Sequence, residues 1–412
     1  MNILWISHLL PYPPKGGVRI RSYNLLKETC KYNDVHFISL FQSAHQQTMN
    51  DIKISKDDLE TFCKSVTIHP FESYHNRLTW LLLAITAFFS KTSYKVKWCK
   101  SNQLFLGIRT LLRKEKIDLV HFDTISLLQY SLLIPTTIPI VINHHNIEST
   151  MMYRRAKNQK NIAKKLYFNW EAYKLRKLEL KYCVKGLNLV VSQLDKERLL
   201  KINPILKVSI IPNGVDIDYF KRITQPYISK SLIFVGGLTW YPNIDAVTYI
   251  CKEIWPLIIK KEKNAKLFII GRNPPKKLKR LVEEQDTIQL LGFVDDIRPL
   301  MSSVSGYICP MRDGGGTRLK VLDALAMGVP LIGTRMSCEG IPVEDGQNVL
   351  LADTLEEFED RIIRVFQEPK LREKLSKNSR KLIEDQFSFK KIGNKLNNCY
   401  ERLNNNDLSS SK

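Results

Sequence analysis

The stretch "SLIFVGGLTWYPNIDAVTYICKEIWPLIIKKEKNAKLFIIG" (residues 231–271) decides how the chain folds. It opens on a short apolar run of strand length that ends at two glycines. A segment with apolar residues at helical spacing follows, "NIDAVTYICKEIWPLIIKK", and a second short run, "AKLFIIG", closes it. Strand, glycine turn, helix and strand make one βαβ unit, the building block of a parallel sheet.

The alternation continues downstream. "PPKKLKRLVEEQ" reads as a helix with prolines in its first turn; "TIQLLGFV", "DDIRPLMSSV" and "GYICPM" alternate strand and helix again. "RDGGGTRLKVLDALAMGVP" (312–330) then gives a loop and a helix closed by Gly328, ahead of the strand "VPLIGT". Upstream, "NILWIS", "DVHFISL", "IDLVHF" (117–122), "IPIVIN" (138–143) and "LNLVVS" (187–192) form an earlier series, its first unit carrying a Pro/Gly loop, "HLLPYPPKGG". That series runs to "VSIIPNGVDIDYF" (208–220), and "KRITQPYISK" reads as a linker. The expected class is α/β, with two Rossmann-like parallel-sheet domains over 1–222 and 230–385 and a last amphipathic helix over 386–405. Ligands of such sheets lie outside the carboxyl ends of the strands, so the site is expected between the domains. The end, "NNNDLSSSK", is expected to fray.

Two domains also suit the length of 412 residues, and an apolar fraction of 44% is that of a folded chain. "MNILWISHLL" runs into "PYPP" without a basic leader or cleavage site. The eight cysteines form no C-x-x-C pair, so neither zinc nor a disulfide framework is expected, and a cytoplasmic location is. The net charge of +22 admits a nucleic acid, an anionic membrane surface or an anionic substrate as partner; a Lys-, Ile- and Asn-rich composition accounts for part of it. Residues 154–185 carry eleven Lys or Arg against two Glu, with Tyr167, Phe168, Trp170 and Tyr173 among them. That segment is either an interfacial helix or a solvated helix with its aromatics in the core. "LTWLLLAITAFF" (78–89) is too short for a bilayer, which needs about 20 residues; it is either a buried helix, which is the expectation, or a re-entrant or interfacial one.

Three glycines, an arginine and a lysine at a helix start point to a phosphate. Glycines 314–316 let the backbone approach an anion, Thr317 adds a hydroxyl, and Arg318 and Lys320 add charge in the first turn. Asp323, three residues after Lys320, shares its face and could accept hydrogen bonds from a ribose diol. The combination reads as a nucleoside diphosphate site. No G-x-x-x-x-G-K-[ST] is present, and no G-x-G-x-x-G follows the first strand. "DID" (216–218) mimics a metal-binding D-x-D, but Asp216 after "IPNG" reads as a turn cap, and no metal is expected.

In chain order, "HLLPYPPKGGVRIR", "NHHNIES", "VVSQLDKE", "IPNGVDIDYF", "FVGGLTWYPNIDAV", "IIGRNPP", "LGFVDDIRPLM" and "GGGTRLKVLDALAMGVPLIGT…EGI" together resemble the GT-B glycosyltransferases, retaining family four, over nearly the whole length. The branch it most resembles carries "GGGTR" in bacterial polysaccharide gene clusters. The resemblance implies two Rossmann-like domains facing each other across a cleft. Of the family's two glutamates eight positions apart, the ribose-binding one is replaced by Asp323, and the one contacting the transferred sugar by Gly315; Asp313 or Glu339 could substitute there. The family's cations after the first strand of the second domain are missing from "GGLTWYPN", which leaves that load to Arg318 and Lys320. The implied donor-binding residues are Gly16 and Gly17 of the N-terminal loop, Arg272 at the base or ribose, and Gly316, Thr317, Arg318, Leu319, Lys320 and Asp323. His145, with His144 as fallback, matches the histidine beside the reacting sugar, and Arg318 and Lys320 share the catalytic load.

The implied activity is transfer of a sugar, with retention and without metal or cofactor, from a nucleoside diphosphate sugar to a glycan or lipid-linked acceptor in cell-surface polysaccharide biosynthesis. An anionic inner-membrane surface, approached from the cytoplasm, is among the partners this reading admits; nucleic acid is not expected. The alternatives are a sugar-nucleotide 2-epimerase on the same scaffold, or a basic protein that binds nucleic acid or a membrane surface.

Overall fold

In the computed structural model, which describes residues 1–41, 48–71, 77–159, 161–313 and 316–405, the chain divides into two compact units. The first comprises Met1–Pro212 together with residues from Ile392 onward, and the second Asn213–Lys391. Gly314 and Gly315 of the glycine stretch lie outside the described residues, as does most of the terminal stretch expected to fray.

The first unit is built on β1 (Asn2–Ser7), β2 (Asp34–Phe41), β3 (Ser65–Pro70), β4 (Leu119–Phe122), β5 (Ile140–Asn143), β6 (Leu187–Val190) and β7 (Val208–Ile210). They form one sheet in the order β3-β2-β1-β4-β5-β6-β7, all pairs parallel, with Ile3 opposite Val35 on one side and Leu119 on the other. Both faces are covered, which is why the inner strands read as unbroken apolar runs. Strand β3, at the edge and half-exposed, lacks that run and escapes the sequence reading.

The second unit repeats the plan with β8 (Ile228–Val235), β9 (Lys266–Ile270), β10 (Ile288–Gly292), β11 (Val304–Cys309), β12 (Leu331–Gly333) and β13 (Leu350–Leu351), in the order β10-β9-β8-β11-β12-β13. Both sheets are doubly wound. Their strand order reverses direction between β1 and β4 and between β8 and β11, the points at whose carboxyl ends open α/β sheets bind their ligands.

Six helices matter below: α1 (Gly17–Thr29), α2 (Arg77–Phe88), α3 (Ile162–Tyr182), α4 (Tyr241–Tyr249), α5 (Leu319–Ala326) and α6 (Phe389–Asn404). The segment after β8 reads as one helix in sequence but is broken: α4 gives way to a π turn over Ile250–Ile254 before a further helix at Trp255–Lys261. Pro256 lacks an amide and crowds the carbonyl four residues back, so the helix cannot run through it unaltered. Helix α5 ends as its sequence predicts, with Gly328 in the left-handed region at φ +63° and Val329 N–H donating to the Ala324 carbonyl at 3.0 Å.

From Ile392 on, α6 packs with α1 over one face of the first sheet, burying Ile392, Leu396 and Tyr400 against a core that includes Trp5, Leu25 and Leu119. Each such side chain contributes roughly 1.5–3 kcal/mol. The Tyr400 hydroxyl lies 2.7 Å from His121 Nδ1, and the His121 ring stacks on Trp5 with centroids 3.8 Å apart.

One sequence expectation changes here, and one open alternative is narrowed. In 78–89, Leu82, Ile85, Phe88 and Phe89 are exposed rather than buried. The inner face of α3 is already filled by Ala172, Leu175 and Glu179, so Trp170 and Tyr173 face solvent instead of the core.

Candidate functional site

Helix α5 opens without a cap of its own. Arg318 takes the N-cap position in extended backbone, its side chain makes no capping hydrogen bond, and no acidic residue stands in the first turn. A helix start left in this way keeps its partial positive charge and its leading amides for an external anion. The chain enters through Gly316 at φ +74°, and Asn213 Nδ2 donates to the Thr317 carbonyl at 2.7 Å.

Two cations converge on this start. Arg318 is buried; its Nη2 makes a long contact of 3.5 Å to the Asp313 carbonyl, and among the described residues its Nε has no hydrogen-bond partner. Burial lowers the guanidinium pKa from its ordinary value. Lys320 runs back toward the end of β8. Its Nζ donates to Asn243 Oδ1 at 2.5 Å and sits 4.7 Å from the Phe234 ring centroid. Asn243 in turn donates to the Gly237 carbonyl at 2.9 Å, so α4 ties Lys320 to the glycine turn. A Cβ on Gly236 would lie 2.7 Å from Lys320 Nζ, so the close approach requires glycine there. The turn "GGLTWYPN", without a cation of its own, thus receives one from α5. Burial, and then the charge of Arg318, bring the Lys320 pKa down to about 8. Two desolvated cations with few partners are poised for an anion.

Asp323 is half-buried one turn further along α5, and burial pushes its pKa up to about 8. Among the described residues no side chain hydrogen-bonds its carboxyl group. At the end of β9, Arg272 lays its guanidinium over the Phe293 ring, 3.5 Å from the centroid, with both exposed. Beside them Gly271 meets the Gly236 carbonyl, which would stand 2.2 Å from a Cβ at 271. Strand ends β8, β9 and β10 are therefore brought close by glycine, with Gly271 N–H donating to the Gly292 carbonyl at 2.8 Å. No local motif marks Asn243 or Phe293; the one signal for Phe293 is an aromatic directly after the glycine that ends a strand.

In the first unit the strand ends β1, β4 and β5 surround Asp123, which is fully buried. Ser22 and Ser7 donate to its Oδ2 at 2.7 and 3.1 Å, and Asn143 Nδ2 donates to Oδ1 at 3.0 Å. His145 Nε2 lies 3.4 Å from the same Oδ1. Burial would push this carboxyl up, but the neighbouring imidazoles, His145 first, hold it well below the usual carboxylate range. His145 is thus held by a buried carboxylate at the switch point. His144 is placed otherwise: its ring is buried 2.9 Å from Asn188 Oδ1, and burial brings its pKa down to about 4. Gly16 and Gly17 lead into α1, with Gly16 at φ +99°, no capping side chain and no acid in the first turn. Arg21, one turn on, is buried and donates to the Ile211 and Pro212 carbonyls and to Asn143 Oδ1, at 2.8, 2.7 and 3.2 Å. Asp123 and Arg21 organise this corner, and no local spacing in the sequence marks either of them.

Asp216 caps its turn, its Oδ1 accepting from the Asp218 and Tyr219 amides at 3.1 and 3.0 Å. Among the described residues no group of three or more His, Cys, Asp or Glu side chains is gathered as a metal site, and no helix is long and apolar enough to cross a membrane.

Two family models match the chain: Glycosyltransferase Family 4 over residues 86–219 and Glycosyl transferases group 1 over residues 229–368. An uncharacterised 44.6 kDa protein in the cps region of Klebsiella pneumoniae is 24% identical over 409 residues, 95% of this chain and 97% of that protein. Among solved structures, sucrose-phosphate synthase from Thermosynechococcus elongatus is similar with a TM-score of 0.69 at 14% identity, covering 98% of this chain and 99% of that one. HepE from Anabaena, in complex with UDP and glucose, gives a TM-score of 0.64 at 14% identity, covering 97% and 99%. At these identities the two structures speak for the fold.

Proposed function

We propose, for a chain that belongs to the GT-B glycosyltransferases with a family 4 domain ahead of a group 1 domain, that it transfers a sugar from a nucleoside diphosphate donor, with retention and without a metal, to a glycan or lipid-linked acceptor in cell-surface polysaccharide assembly. The uncapped start of α5, with Arg318 and Lys320 desolvated beside it, carries this reading. The relative in a cps region supports the polysaccharide setting.

In this reaction the bond between the anomeric carbon and the diphosphate oxygen breaks, and negative charge grows on the departing diphosphate. Arg318, Lys320 and the leading amides of α5 offset that charge, and preorganised donors of this kind are each worth ~10²–10³ in rate. Asp323 takes the ribose diol, and Arg272 with Phe293 holds the base or ribose. Retention has the acceptor hydroxyl arrive on the face from which the diphosphate leaves, so a diphosphate oxygen is at hand for its proton. His145, oriented by Asp123, contacts the reacting sugar. The amides at Gly16 and Gly17 add to the diphosphate contacts.

Incubation with a panel of sugar nucleotides, scored by release of the nucleoside diphosphate, tests the reading. One donor is expected to be consumed slowly by water and faster with a glycan acceptor. Conversion of a donor to its 2-epimer, or no turnover of any donor, contradicts it.

A further inference from the structure

Helix α3 is apolar on two opposite sides. Its inner side buries Ala172 and Leu175. On the other side Ile162, Leu166, Trp170, Tyr173, Leu180 and, just past the helix end, Val184 are all exposed, at spacings of four, four, three, seven and four. Steps of three and four place them in one stripe along a helix of 21 residues, about 30 Å long. Helix α2 extends the stripe sideways. Trp170 Nε1 donates to the Phe88 carbonyl at 2.8 Å, Phe88 stacks near Tyr167, and Lys174 Nζ donates to the Ala87 carbonyl at 2.8 Å. Leu82, Ile85 and Phe89, the last 82% exposed, share one side of α2 by their spacing of three and four. A contiguous apolar patch of this extent marks an interaction surface.

Charge identifies the partner. The two acids of α3, Glu171 and Glu179, are both buried, Glu171 paired with Lys174 and Glu179 hydrogen-bonded by Ser149. What α3 and the residues after it expose is cationic only: Lys164, Lys165, Arg176, Lys177, Lys181 and Lys185. The sequence from 73 to 114 around α2 also contains no Asp or Glu. A second copy of the chain would set these cations against each other, whereas an anionic lipid surface complements them. Trp and Tyr suit the boundary between headgroups and acyl chains, and the long lysines reach up to the phosphates from beside a sunken stripe.

We propose that the α2–α3 face is a docking surface for an anionic bilayer, laid flat in the interface with the stripe among the acyl chains and the cations that flank it at the headgroups. It deepens the reading of a lipid-linked acceptor but does not require turnover.

Partition of the full chain onto vesicles of phosphatidylglycerol with phosphatidylcholine, against phosphatidylcholine alone, tests this by sedimentation without any donor. Binding to the anionic vesicles is expected, with release at high salt. The triple variant Arg176→Gln, Lys177→Gln, Lys181→Gln should weaken it about a hundredfold, at roughly fivefold for each cation removed. Leu166→Asp and Phe89→Asp should each weaken it as well; all these positions are exposed, so circular dichroism should stay that of the parent. Equal partition onto both vesicle types, or onto neither, overturns the proposal. So does self-association that Leu166→Asp abolishes, which would give the face to a second copy. Donor turnover is measured separately, so a failed sugar transfer and a failed docking are told apart.

Discussion

Lys320 Nζ and Gly236 are in contact range across 84 residues of sequence: a Cβ at position 236 would come within 2.7 Å of the ammonium. The end of β8 is bare of side chains because a cation from α5 occupies the space. The contact couples the glycine turn to the cation, and the turn's lack of Arg or Lys becomes intelligible.

Gly236→Ala therefore displaces Lys320 and Asn243 rather than backbone, and both are side chains able to shift. Thermal stability should fall little, while kcat/KM for the donor should drop about tenfold to a hundredfold, as a displacement near 1 Å does. Calorimetric Tm together with steady-state kinetics checks this; wild-type kinetics in a well-folded Gly236→Ala protein would count against the contact.

Lys320, with its pKa brought down to about 8, is mostly charged at pH 7 and mostly neutral at pH 9. A diphosphate favours the charged form, so donor affinity should weaken as pH rises through about 8. Lys320→Arg keeps its charge across this range and should move the loss to higher pH. Titrating a nucleoside diphosphate at pH 6.5 to 9.5 into both proteins checks it.

Asp323 has its pKa raised to about 8, against an ordinary value of 3.8 when unfolded. A group raised in this way costs nothing below pH 4; the cost grows as the unfolded chain ionises and levels off above pH 8. Asp323→Asn should accordingly stabilise the free protein at pH 8 by about 1–3 kcal/mol, discounted for partial exposure, and not at pH 4. It should also raise the donor KM at pH 8 and above, where the carboxyl ionises and accepts charge-assisted hydrogen bonds from the ribose worth roughly 1.5–3 kcal/mol. Denaturant melts at the two pH values and donor kinetics measure both effects.

His145→Ala should lower kcat by about a hundredfold with little change in donor affinity, because its proposed contact is with the reacting sugar. His144→Ala removes a buried partner of Asn188 and should cost about 1–3 kcal/mol of stability instead. Interchanged outcomes would reverse the two roles.

Much of this was legible in the chain because buried parallel strands are apolar without interruption, and β1, β2 and β9 lie where their runs stand. Edge strand β3 was not, since one-sided burial leaves "SVTIHP" without that signature. Pro256 was visible, but only the three-dimensional ladder shows that the helix absorbs it as a π turn. Around the site, Arg318, Lys320 and Asp323 were readable because they share one helix start. Asn243, Gly236 and Phe293 were not, because their neighbours come from other strands and helices and no local spacing records them. Asp123 sits in "HFDTIS" with nothing nearby in sequence to mark the serines, asparagine and histidine that close on it.

The central claim is that the start of α5 holds a nucleoside diphosphate. Isothermal titration of UDP, GDP, ADP and dTDP into the wild-type chain and into the Arg318→Ala, Lys320→Ala double variant tests it most directly. One nucleotide is predicted to bind the wild type, and the double variant to bind it at least about a hundredfold more weakly, two charge-assisted contacts having been removed. No binding by any of the four, or equal binding by a folded double variant, would contradict the account.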